Sequence, residues 1–212
     1  MARVPPRNLC SKYRCTTIAA DSKVQVYKAT SRHPGRETYD ATFARWLPTG
    51  RVTSLGEFAG EVDSGATVYP AEVSVAGAFI AYGLLESKTG KYPGSGFAQA
   101  VYRLNVRTGR RERTPAAGAG GTIFGEKSLG ATDIVLTPAG SVAWIVDGSY
   151  NDPSNPHTLL PLGSKTVLYL QPGSRTPTVL STSATINPKS LAAIPGNLYW
   201  LEGQTARTAP IQ

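Results

Sequence analysis

Asp133-Ile134-Val135-Leu136-Thr137-Pro138-Ala139-Gly140-Ser141-Val142-Ala143-Trp144-Ile145-Val146 decides the fold. Two apolar runs are joined by a Pro-Ala-Gly turn, and both are too short for helices. The second run, Val142-Ala143-Trp144-Ile145-Val146, is apolar at every position instead of alternating, which predicts a strand covered on both faces. The same grammar recurs. Glu72-Val73-Ser74-Val75-Ala76-Gly77 leads into Phe79-Ile80-Ala81-Tyr82, and Ser190-Leu191-Ala192-Ala193-Ile194-Pro195-Gly196 leads into Asn197-Leu198-Tyr199-Trp200. The aromatics at 82, 144 and 200 are spaced 62 and 56 residues apart, and turn glycines at 50, 109 and 173 keep step at 59 and 64. A period of this size means one supersecondary unit used several times.

Working outward, four units emerge. The first holds strands near Thr16 to Ala20, Lys23 to Lys28, Tyr39 to Trp46 and Arg51 to Phe58, with the turn Pro48-Thr49-Gly50. The second runs from Ala71 to about Arg113 and turns at Arg107-Thr108-Gly109. The third runs from Thr132 to Thr182, turns at Gln171-Pro172-Gly173, and places its last strand at Arg175 to Leu180. The fourth begins at Lys189 and ends thin, with a final strand at Thr205 to Ile211. Helical periodicity is almost absent, and the outer strands carry charge, as Arg110-Arg111-Glu112-Arg113 does, which suits exposed edges.

The succession of strand, glycine, strand with Ala-Trp or Ala-Tyr, long loop and Thr-Gly-Arg hairpin resembles the degenerate β-propeller repeats of secreted bacterial proteins, of the TolB-like and WD40-like kind. The resemblance implies an all-β fold, a small propeller of about four blades with an incomplete last blade; a β-sandwich is the alternative. It implies one domain over residues 1–212, with 1–15 as an N-terminal arm. It transfers no functional residues, because propellers host unrelated functions.

Of the 212 residues 41% are hydrophobic and 17% charged, which fits a folded body. The net charge of +8 permits attraction to anionic partners. There is no apolar run long enough to cross a membrane as a helix, and the stretch from Met1 to Arg7 has no signal-peptide core. Cys10 and Cys15 are even in number and are neither a redox C-x-x-C pair nor enough for a zinc site. A disulfide pinning the N-terminal segment to the first unit is expected, and with it an extracellular or cell-envelope location, the signal peptide being absent from this numbering.

Chemistry is sparse. Gly120 to Ser128 nearly spells a P-loop, but Glu126 stands between glycine and lysine and a strand follows instead of a helix. His33 and His157 lack metal-ligand partners, so no metal and no cofactor is expected. The richest polar stretch is the loop from Asp147 to Asn155, whose Asp147, Tyr150, Asn151 and Asp152 are the candidate binding residues. The arginines at 103, 107, 110, 111 and 113 read as a solvated edge, since nucleic-acid readers interleave stacking aromatics. The expected function is a non-enzymatic extracytoplasmic binding or scaffolding module whose ligand, glycan or protein, is open. The alternative is a hydrolase or lyase on glycans using carboxylates such as Asp133, Asp147 and Asp152. A self-closed monomer is preferred to two chains sharing one ring.

Overall fold

The structure, a computed structural model, describes residues 9–30, 39–59, 70–87, 97–115, 130–147 and 163–211. One helical turn, α1 (Leu9–Lys12), precedes fifteen strands: β1 (Arg14–Ala20), β2 (Val24–Thr30), β3 (Tyr39–Trp46), β4 (Arg51–Ala59), β5 (Pro70–Ala76), β6 (Phe79–Ser87), β7 (Phe97–Asn105), β8 (Arg110–Pro115), β9 (Gly130–Leu136), β10 (Val142–Asp147), β11 (Lys165–Leu170), β12 (Thr178–Ser183), β13 (Ala192–Ile194), β14 (Asn197–Glu202) and β15 (Thr205–Pro210). Among the described residues they form four antiparallel sheets, each a meander in chain order: β1 to β4 (sheet 1), β5 to β8 (sheet 2), β9 to β12 (sheet 3) and β13 to β15 (sheet 4). The fold is therefore all-β, and sheet 4 is one strand short.

The turn glycines read from the sequence do close the hairpins. Gly50, Gly109 and Gly173 have φ of 72°, 79° and 81°, a region that only glycine enters without strain. Most strand ends move by one or two residues, and one start moves further. The last strand of the third unit begins at Thr178, not at Arg175. Ser174 turns the chain through a hydrogen bond to the Thr176 carbonyl, and Pro177 has no amide to donate to a ladder.

The sheets succeed one another face to face, and the first strands are neighbours in order: β1 beside β5, β5 beside β9, β9 beside β13. Each seam joins the leading face of one sheet to the trailing face of the next. Val24, Val26, Trp46 and Leu55 of sheet 1 meet Ile80, Tyr82, Tyr102 and Leu104 of sheet 2. Ala81 and Val101, on the other face of sheet 2, meet Ile134, Trp144 and Leu168 of sheet 3. Ala143, Ile145, Val167 and Tyr169 then meet Leu198, Trp200 and Ile211. The unbroken apolar run of β10 is thus explained: Trp144, fully buried at 0% exposure, faces sheet 2, while its neighbours Ala143 and Ile145 face sheet 4.

The aromatics of the repeat, Tyr82, Trp144 and Trp200, all stand on trailing faces and are all buried. Sheet 1 supplies a fourth that the spacing analysis passed over. Tyr27 holds the equivalent place on β2 and stacks on Phe43 with ring centroids 5.7 Å apart. Among the described residues no other sheet lies on this trailing face; Tyr13, just ahead of β1, packs there with Cys15 and Val52 of sheet 1 itself, against Tyr27, Ala29, Ala41 and Phe43. Cys15 is bonded to Cys10, so the expected disulfide is present and holds the N-terminal turn against sheet 1.

Candidate functional site

Two polar constellations grow out of this arrangement. The first lies among the first strands. By pairing register with the neighbouring strand, Glu72 of β5 and Asp133 of β9 are equivalent positions, and Ser190, just ahead of β13, is the third. Lys189 reaches Glu72 with its ammonium group. The Asp133 Oδ2 accepts the Leu191 amide at 2.8 Å, tying sheet 3 to sheet 4. Burial raises the Asp133 pKa above its ordinary value; the Leu191 amide and the Lys189 charge pull it back, and Glu72 pushes it up.

Asp133 has a double in sheet 1. The Asp21 Oδ1 accepts the amides of Lys23 and Val24 at 2.7 and 2.8 Å, closing its own turn, while Oδ2 accepts the Gly77 amide of sheet 2 at 2.8 Å. Each aspartate therefore clasps a backbone amide of the following sheet, 56 or 58 residues further on. The middle seam uses the opposite polarity. Arg103, 6% exposed, donates to the Gly140 carbonyl at 2.6 Å and holds Glu112 through Nε at 2.8 Å. These contacts border a cleft of about 230 Å³ between sheets 2 and 3, with Phe79, Arg110 and Pro172 on its walls. A side chain at Gly140 would meet the Phe79 ring at 3.2 Å, so glycine is needed there for packing as well as for its φ of 90°.

The second constellation is the outer part of the seam between sheets 1 and 2. Arg51, at the start of β4, donates to the Arg107 carbonyl at 3.1 Å. Its guanidinium lies so close to Gly109 that a Cβ there would meet Nη2 at 2.5 Å. Arg111 of β8 donates to the Ser54 carbonyl of β4. Its guanidinium also sits 6.0 and 5.8 Å from the ring centroids of the stacked pair Tyr82 and Tyr102. Arg111 and Arg113 share the β8 face that turns toward sheet 1, because their register partners Leu104 and Tyr102 lie in that seam. Glu112, the one carboxylate on β8, points to the other face, where it holds Arg103 and Arg110. Arg51, Arg111 and Arg113 thus share one seam, contributed by two sheets, with the Arg107 carbonyl as the acceptor of Arg51.

The sequence reading placed Arg107 to Arg113 on an edge but missed Arg51. Arg51 and Arg107 lie 56 residues apart, one period of the repeat, and the period was the available signal. Asp21 and Lys189 were missed for the same reason. Of the predicted binding residues, Asp147 is the last residue of β10, register-paired with Lys165 and Gly130. Tyr150, Asn151 and Asp152 lie outside the described residues, as do His33, His157 and the stretch from Gly120 to Ser128. Asp133 stands beside Glu72 and Lys189. Among the described residues no group of three potential metal ligands forms, and no helix is long and apolar enough to cross a membrane.

No family model matches the chain, and no curated protein matches it. Among solved structures, a sialidase from Trypanosoma rangeli matches with TM-score 0.46 and 13% identity over 91% of this chain and 37% of its own. The same enzyme in complex with 2,3-difluorosialic acid matches with TM-score 0.45 and 14% identity over 89% and 34%. MPT-4, a mannose phosphorylase from Leishmania mexicana, matches with TM-score 0.25 and 13% identity over 92% and 81%. The chain spans about a third of the length of the sialidase, and likenesses this faint leave the reading to its own residues.

Proposed function

We propose that this chain is a non-enzymatic extracytoplasmic binding module. Its four sheets are read as successive blades of a propeller-type repeat of the TolB-like and WD40-like kind, the last one thin, in one domain with an N-terminal arm. Its ligand-facing surface is the arginine seam between sheets 1 and 2, and its ligand class is an anionic glycan. The observation that carries this is the convergence of Arg51, Arg111 and Arg113, two of them pinned by backbone carbonyls and one resting over stacked tyrosines. Guanidinium groups held in advance lose less freedom on meeting carboxylates or sulfates. The surplus of positive charge steers such polymers inward. The seam's aromatics, Tyr82 and Tyr102, are buried, so bases have no platform to stack on, which favours a glycan over a nucleic acid. The disulfide supports an oxidising compartment.

Heparin chromatography tests the reading. Replacing Arg51 and Arg113 by Gln should lower the salt needed for elution clearly more than replacing Arg175 and Arg207, which removes equal charge from sheets 3 and 4. Equal shifts would reduce the binding to net charge and sink the seam. A glycoside hydrolase remains the second reading, favoured by one observation: Asp133 is a carboxyl biased toward its protonated form with Glu72 in electrostatic reach. Turnover of any glycoside in a panel, abolished by both Glu72→Gln and Asp133→Asn, would install it.

A further inference from the structure

Sheets 1 and 2 share one register at their hairpin ends, so positions there can be matched one to one. Val24, Trp46 and Arg51 form a cross-strand row on the face of sheet 1 that meets sheet 2. Phe79, Asn105 and Arg110 form the same row on the face of sheet 2 that meets sheet 3. In the first seam the row is filled. The Trp46 indole is 8% exposed, and Arg51 crosses to the Arg107 carbonyl beside Gly109. In the second seam an asparagine stands at the place of the indole, and the cleft of about 230 Å³ opens there. Arg110 does not repeat the crossing of Arg51. In the facing hairpin the Gln171 carbonyl takes the Ser174 amide at 3.2 Å. Arg110 instead meets the Glu112 Oε1 at 3.3 Å, with its side chain 78% exposed.

We propose that this cleft binds a small planar aromatic carboxylate, its ring in the place that Trp46 fills in the first seam and its carboxylate on Arg110. Charge sets the sign of the ligand. Two guanidinium groups, Arg103 and Arg110, face one carboxylate, Glu112, and the rest of the lining is neutral. Arg103 is buried and committed to Glu112 and the Gly140 carbonyl, so it stiffens the site. Arg110 is the group that meets the ligand. Asn105 spends its Oδ1 on the Thr108 amide at 3.1 Å and has its own N–H groups to add. The walls set the shape. Phe79, Ala139 and Pro172 are apolar, and the Phe79 ring lies against Gly140. A sugar ring would bring hydroxyls that need acceptors, and two acceptors of this lining, Glu112 and the Gly140 carbonyl, already serve Arg103. The volume lies below the ~300 Å³ at which drug-sized pockets begin, which suits one ring or two fused ones. This site is independent of the glycan reading, since neither Arg51 nor Arg111 lines the cleft.

Titration calorimetry of the full chain with benzoate and with indole-3-carboxylate tests the proposal. Ligands of this size should bind with Kd of about 1 mM. Benzamide has the same ring without the charge and should bind at least tenfold more weakly, as should glucuronate, which has the charge on a sugar ring. Arg110→Gln should weaken benzoate about tenfold, whereas Arg207→Gln, on sheet 4, should leave it unchanged. Asn105→Trp copies the first seam into the second. It should abolish binding while the melting temperature holds or rises. No binding of either acid at roughly ten times the expected Kd overturns the proposal. So does binding that survives Asn105→Trp, or a steep fall in that variant's melting temperature, which would show that the cleft does not match the place of Trp46. Equal affinity for benzoate and glucuronate also overturns it, because the site would then read charge and not the ring.

Discussion

The two ends of the stack solve the same problem differently. Sheet 1 has an outward face with Tyr27 and Phe43, and the chain folds its own disulfide-closed turn over it. Sheet 4 has an outward face with Ile194 and Leu201, and no described residue buries them. Both faces are apolar, and each stands at one end of the series of seams. A repeat unit cannot bury both its faces alone, so an end sheet must be capped, docked or left exposed. One end packs under local sequence, and the other leaves Ile194 and Leu201 exposed.

The largest effect should come from the interior, where both faces are covered. Trp144→Ala removes a fully buried indole from the seam between sheets 2 and 3 and should cost about 3–5 kcal/mol. Ile194→Ala, on the open face, should stay within about 0.5 kcal/mol. Urea unfolding of the two variants at low protein concentration reads the contrast. A mild Trp144→Ala would mean that the seam is looser than its burial implies.

The second effect belongs to the capped end. Replacing Cys10 and Cys15 by Ser should cost about 2–3 kcal/mol, the low end for a disulfide because the closed loop is short. The loss should also loosen the turn over Tyr27 and Phe43, so hydrogen exchange should rise in β1 and β2 and not in β14. Uniform protection in the reduced protein would show that the cap holds without its bond.

Much of this contrast was legible in the sequence, and the part that was not shares one cause. The unbroken run Val142 to Val146 announced a doubly covered strand, and the aromatics at 82, 144 and 200 announced the trailing faces. The cysteine pair announced the cap. Those signals are local: periodicity, turn glycines and a six-residue loop. The functional candidates are not. Arg51 meets Arg107, Asp21 meets Gly77, and Lys189 meets Glu72 across 56, 56 and 117 residues, through seams whose pairing no short window encodes. The charge on Arg107 to Arg113 read as edge protection because the second sheet, which supplies Arg51, lies elsewhere in the chain. The late start of β12 is a smaller miss, where a proline without an amide outweighed strand propensity.

The smallest effect concerns the clasps that hold the stack together. Asp133 sits half-buried between sheets 3 and 4 with its pKa raised chiefly by that burial, beside Lys189 and Glu72. A carboxyl whose folded pKa lies above its unfolded one favours folding most when it is protonated in both states. Its contribution is fully present below the unfolded value and is lost as pH rises through the folded value. Asp133→Asn keeps an oxygen for the Leu191 amide and removes the charge. The wild type should therefore lose stability relative to this variant as pH climbs from the ordinary carboxylate value through the raised one, and above that the difference should stay flat. Urea midpoints of both proteins at several acidic and neutral pH values give that difference, and subtracting one curve from the other cancels the remaining carboxylates. A difference that does not change with pH, or one that moves the other way, would show that the clasp outweighs desolvation. Asp133 would then be held as a carboxylate, a partner fixed to its amide, and no proton donor for the hydrolase reading.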